Sequence, residues 1–208
     1  MIYASIDVET GGLVTSTHSI IQFACVIEDT DRTVAVENLP RFEWYFQHRD
    51  DFYTMSPWAV INHGKLFKTI AEMSKNPKSL ADNLATINHT PQLTAIGSKE
   101  DFVKAFYEWL RFHYPWEFPK YAINLLGKNL ATFDLLVLNE QVYFSEYIKY
   151  NHRVFDLGNL YFDPKLDKTP PSMDTIYTRA GITPSNFHNA LGDALDNVRL
   201  MRIKMGIK

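Results

Sequence analysis

With 208 residues, 46% apolar and 22% charged, the chain has the makeup of an ordinary globular protein and room for one domain with a sizeable core. Lysine and arginine number 21 against 24 acidic residues, a net charge of −3, which argues against nucleic-acid binding through a broad basic surface. No run approaches the ~18 to 20 apolar residues of a membrane span, and no glycine-, serine- or proline-rich linker divides the chain, so one domain over residues 1–208 with no membrane partner is expected.

Met1 opens directly into an apolar run, without a basic segment followed by an apolar leader, so a cytoplasmic location is expected. Three β-rich runs come first: Ile2 to Val8, Ile20 to Ile27 and Arg41 to Phe46. Turn-prone "TGG" and "EDTDR" follow the first two, which predicts an antiparallel meander. The lone Cys25, inside "IIQFACVIED", can form no internal disulfide and reads as a core residue. In "SPWAVINHGKLFKTIAEM", Ser56 is a helix cap and Pro57 the first helical residue, with Gly64 breaking the segment into two short helices. Residues 74 to 97 are polar and read as irregular. A helix is predicted from Ser98 through "KEDFVKAFYEWLRFHY", with Phe102, Ala105, Phe106, Trp109 and Leu110 on one face. "YAINLLG" (121–127) reads as a strand, "ATFDLLVLNEQVYF" as a helix and "HRVFDL" (152–157) as a strand, an alternation that implies parallel pairing. Ser172 caps a short helix ending at Gly181, and "NALGDALDNVRLMRIKMG" closes the chain as a helix.

The chemistry begins at "SIDVETGG". Strand residues i and i+2 share a face, so Asp7 and Glu9 stand side by side at the end of the first strand and repel one another. A hard divalent cation, which prefers oxygen ligands, would offset that repulsion. Two more acids can join them. Asp134, in "GKNLATFDLL", sits at a helix start beside the sheet's end, and Asp193, in "FHNALGDALDNVRL", borders the apolar face of the last helix, an expensive place for an unpaired charge. His188 stands five residues before Asp193 at the mouth of the same helix, where a neutral imidazole could accept a proton from water at a hydrolytic site.

"DVETGG", "GKNLATFDLL" and "HNALGD", in that order, resemble the three motifs of the DEDDh 3′-to-5′ exonucleases, the superfamily of proofreading subunits, ribonuclease T and oligoribonuclease. The resemblance implies an α/β ribonuclease H-like fold, here a mixed five-stranded sheet flanked by helices. It also implies two Mg2+ or Mn2+ ions held by Asp7, Glu9, Asp134 and Asp193, with Asp7 shared between them. His188 matches the family's general base. In the tyrosine branch the base lies four residues before the last acid, where this chain has Asn189, so the histidine branch is favoured. Thr10 and Leu13 match the positions that lie against the terminal nucleotide. Implied partners are 3′ ends of single-stranded DNA or RNA, shortened with release of nucleoside 5′-monophosphates, and a homodimer is left open. An oligoribonuclease-like or other small-nucleotide phosphodiesterase, and an inactive nucleic-acid-binding module of the same fold, are the rival readings. Asn129 stands five residues before Asp134 where many bacterial members have four, which predicts a longer turn there. This spacing and "HRVFDLGNLYF" look more like phage-encoded members. The stretch between Phe46 and Ser98 matches no proofreading subunit well.

Overall fold

A computed structural model describes residues 1–87, 90–114, 117–185 and 188–207. The first strand, β1 (Ile2–Thr10), is central and buried on both faces. Its alternation decides what each face meets. Ile2, Ala4, Ile6 and Val8 enter one apolar cluster, and Tyr3 enters the cluster on the opposite face. Asp7 and Glu9 share Tyr3's parity and therefore its side of the sheet.

Strand β2 (Ile20–Asp29) pairs antiparallel with β1, and β3 (Arg41–Phe46) antiparallel with β2, which is the expected meander. Among the described residues the sheet has six strands, not five. The additional strand β4 (Gln92–Gly97) pairs parallel to β3 at the edge, within the stretch read from sequence as irregular. Only Leu93, Ala95 and Ile96 of its six residues are buried, too short an apolar signal to stand out among polar neighbours. On the other side of β1, β5 (Leu125–Gly127) and β6 (Phe155–Asp156) add in parallel, completing the order β4-β3-β2-β1-β5-β6. Both are shorter than the runs read as strands. All strands except β2 thus point their carboxyl ends to one end of the sheet.

Nine α-helices are described. α1 (Pro57–Asn62) and α2 (Gly64–Met73) are capped and separated nearly as expected, with Ser56 Oγ accepting the Ala59 N–H, but the break falls at His63 and Gly64 already belongs to α2. α3 (Leu80–Ile87) lies in the supposedly irregular stretch, of which residues 88 and 89 lie outside the described residues. α4 (Lys99–His113), capped by Ser98, places Phe102, Phe106 and Trp109 against Phe23, Phe42 and Phe46. Phe23 and Phe106 meet edge to face at 4.8 Å, and Phe46 and Phe102 at 4.9 Å. Each such ring contributes about 1.5 to 3 kcal/mol by burial. The run 131–144 is not one helix: α5 covers Asp134–Asn139 and α6 (Phe144–Tyr147) begins only at its last residue, because Tyr143 adopts a left-handed φ of 66° between them. After α7 (Leu157–Leu160) and α8 (Met173–Ala180, capped by Ser172 and ended by Gly181), α9 (Ala190–Met205) packs Ala190, Ala194 and Val198 against the sheet face opposite α4. Cys25 is buried in the core. No helix among the described residues is long and apolar enough to cross a membrane.

Candidate metal centre

Three elements deliver the acids to the carboxyl end of β1. Asp7 and Glu9 face α9 by the strand's parity, and Asp193 lies one turn into α9. The start of that helix is fixed by Asn189, whose side chain accepts the Gly192 N–H at 3.0 Å while its carbonyl accepts the Asp193 N–H at 3.0 Å. One carboxylate oxygen from each of Asp7, Glu9 and Asp193 lies within 4.8 Å of the others. Asp134 comes from the turn after β5. Asn129 takes a left-handed φ of 56°, its carbonyl receives the N–H groups of Thr132 and Phe133, and Asp134 opens α5. Its Oδ1 accepts the Val8 N–H at 3.1 Å, so it is tied to β1 between the first two acids, just outside the tight group of three.

The four acids are poorly compensated. Among the described residues no lysine or arginine forms an ion pair with any of them. Burial, then the charges of Asp134, Asp193 and Glu9, hold the Asp7 carboxyl well above the usual carboxylate range. Burial followed by the charges of Asp193 and Asp134 pushes Glu9 up to about 8. Asp134 is raised to about 7, chiefly by burial and against the pull of backbone hydrogen bonds, and Asp193 to about 7 by burial and Asp196. An all-oxygen donor set that resists being anionic together fits a hard divalent cation.

His188 stands two residues before α9 with a left-handed φ of 58°. Its ring meets the Trp58 ring edge to face at 4.9 Å and lies 6.2 Å from that of His63. Thr10 is buried, and its hydroxyl donates to the Gly12 carbonyl at 2.8 Å. The backbone closes tightly here, since a Cβ on Gly11 would collide with the Thr54 carbonyl. Leu13 is 84% exposed beyond this turn. Glu9, Thr10, Leu13, Trp58, His63 and Phe133 bound a cavity of about 610 Å³ beside the acids.

Sequence reading missed four neighbours. His63 donates from Nε2 to the Thr10 carbonyl at 3.1 Å and lies 3.7 Å from the Glu9 carboxylate, with burial lowering its pKa. Trp58 was read only as a helix residue. Gln22, opposite Glu9 in the β1–β2 register, accepts the Ala190 N–H at 2.9 Å and donates to Glu43 at 2.8 Å. Glu43 also accepts from Tyr45 at 2.9 Å and from Thr94 at 2.9 Å, so a buried polar chain runs from the start of α9 across β2 and β3 to β4. The one local signal was a polar residue inside the apolar run "IIQFACVIED".

No protein-family model matches the chain, and no curated protein matches it in sequence. Solved structures do match. The nuclease domain of 3′hExo, described as a DEDDh family member bound to rAMP, superposes with a TM-score of 0.60 at 16% identity, over 97% of this chain and 88% of that one. The E. coli exonuclease I complex with single-stranded DNA and zinc gives 0.57 at 21% identity, over 99% of this chain and 41% of that one. S. pombe Pop2p, bound to Mg2+ and Mn2+, gives 0.55 at 13% identity, over 96% and 81%. The chain therefore spans about two fifths of the E. coli exonuclease I chain. Its mixed sheet flanked by helices is the ribonuclease H-like fold that these structures share.

Proposed function

We propose that the chain is a divalent-metal-dependent 3′-to-5′ exonuclease that releases nucleoside 5′-monophosphates from single-stranded nucleic acid. The observation that carries the reading is the convergence of Asp7, Glu9, Asp193 and the adjoining Asp134 from three elements onto one end of the sheet, with no lysine or arginine paired to them among the described residues and with His188 at the head of the last helix. Magnesium or manganese ions held by these four carboxylates, with Asp7 shared, would offset the charge of the scissile phosphate and acidify water beside it. His188 takes the proton of the attacking water, a role its position at the head of α9 allows. Thr10 orients the terminal nucleotide through its backbone, and Leu13 packs on the base. Trp58, half-exposed against the His188 ring, limits how that ring can turn. The start of α9 is held to the sheet by Gln22 and Glu43, which keeps His188 and Asp193 in register with β1.

A site built around a chain end has no room for the strand to continue. Linear 5′-labelled DNA or RNA should therefore give a ladder shortening from the 3′ end in magnesium and remain intact in chelator. A 3′ phosphate should slow the reaction, because it adds a dianion close to Glu9. A circular single strand should survive. Efficient nicking of the circle would replace the exonuclease reading with an endonuclease, and turnover confined to dinucleotides would favour a small-nucleotide phosphodiesterase.

A further inference from the structure

A second cavity, of about 680 Å³, opens at the same end of the sheet, where β3 and β4 finish. It lies beyond β2 from the acids, since β3 runs parallel to β1 with β2 between them. Two helices begin at its wall. Ser79 caps α3 reciprocally with Asp82, and Ser98 caps α4 by accepting the Asp101 N–H. Those caps leave the earliest N–H groups of each helix without an intrahelical acceptor, and Leu80, Lys99 and Glu100, which carry three of them, line the cavity. Lys78 and Lys99 also line it, and neither is in an ion pair among the described residues.

The wall also holds polar side-chain groups without a partner among the described residues. Asn83 is 2% exposed and lines the cavity, and its carboxamide has no hydrogen-bond partner among the described residues. Trp44, in the same wall, buries its indole N–H without an acceptor. Native interiors seldom leave such groups unmet. Glu100 and Asp101 share the lining, so the field is not uniformly positive, and one compact anion on the helix ends suits the cavity better than a broad polyanion.

We propose that this cavity binds one phosphate group of a nucleotide, with Lys78 and Lys99 as counter-charges and Asn83 as the hydrogen-bonding side chain. The choice of a nucleotide over other phosphate esters rests on the nuclease reading. Its source is either a phosphate of the substrate strand, some nucleotides back from the 3′ end, or a released mononucleotide.

Binding can be read without turnover in Asp7→Asn protein, by calorimetry and by amide resonances, with inorganic phosphate, a nucleoside 5′-monophosphate, a dinucleotide and a ten-nucleotide strand as probes. Phosphate should shift the amides of Leu80, Lys99 and Glu100, and adding Lys78→Glu with Lys99→Glu, or Asn83→Leu, should abolish the shift. If the strand is the source, the lysine pair should weaken the ten-nucleotide strand but not the dinucleotide, and lower the slope of its salt dependence by about one, for the one phosphate no longer held. If the mononucleotide is the source, its binding is lost while the strand binds as before. The proposal is overturned if no probe moves these amides, or if both sets of variants bind every probe like their parent. A wild type that hydrolyses nothing but still binds phosphate here would sustain this site and sink the nuclease reading alone.

Discussion

Asp7→Asn is expected to remove hydrolysis while making the metal-free protein more stable. The substitution keeps the size of the side chain and deletes one charge from the carboxylate that feels all three of its acidic neighbours. Loss of the ligand proposed to be shared between ions should cost several kcal/mol of transition-state stabilisation, or about three powers of ten in rate. A variant retaining more than about a tenth of the wild-type rate at saturating magnesium would show that Asp7 is not that ligand. Stability should move the other way. Relief of repulsion equivalent to roughly one pKa unit is about 1.4 kcal/mol, or a rise of about 3 to 6 °C in the Tm of a domain this size.

The same argument sets the sign of the pH dependence. Glu9, Asp134 and Asp193 titrate in the folded chain near 8, 7 and 7, above the ~4 of unfolded carboxyls. A raised carboxyl favours folding most below its unfolded value, and that contribution is lost as pH climbs through the folded value. Metal-free wild type should therefore lose stability between about pH 5 and 8, and Asp7→Asn should lose less of it. A thermal melt series in chelator decides the matter, and a wild-type Tm that rises across this window would refute the account of the four acids.

His188→Ala should lower the rate by about 10² to 10⁴, the usual worth of a positioned general base, while leaving metal affinity nearly intact. The ring lies against Trp58, outside the group of three carboxylates that approach within 4.8 Å of one another. Single-turnover kinetics beside a calorimetric metal titration separates the two effects. Collapse of metal binding together with the rate would make His188 a ligand or a structural group.

The four candidate acids stand out in the sequence because each sits where a local rule exposes it. Asp7 and Glu9 break an apolar strand at period two, Asp134 follows a strand-to-helix turn, and Asp193 intrudes on a helix's apolar border. The caps at Ser56, Ser98 and Ser172 and the αL stop at Gly181 were legible for the same reason, since each is a contact within four residues. Long-range features were not. β4 exists because β3 offers it an edge, and its six residues carry too little periodicity to announce themselves. Tyr143 breaks a helical run through a backbone angle that no glycine or proline marks. His63 and Gln22 take their meaning from Thr10 and Ala190, which lie 53 and 168 residues away in the chain.

The shortness of β5 and β6 divides the molecule unevenly. β1 joins β2 along its whole length, whereas it joins β5 only at Ala4–Leu125 and Ser5–Leu126, and β6 adds two more residue pairs. Amide hydrogen exchange should accordingly be slow through β1, β2 and β3 and faster at Leu126, Gly127 and Phe155, where local opening breaks few bonds. Asp134 hangs from that looser margin, while Asp7, Glu9 and Asp193 belong to the tighter body. An ion gripping all four would act as a rivet between the two, so adding magnesium should slow exchange over residues 125–135 far more than in β2 or β3.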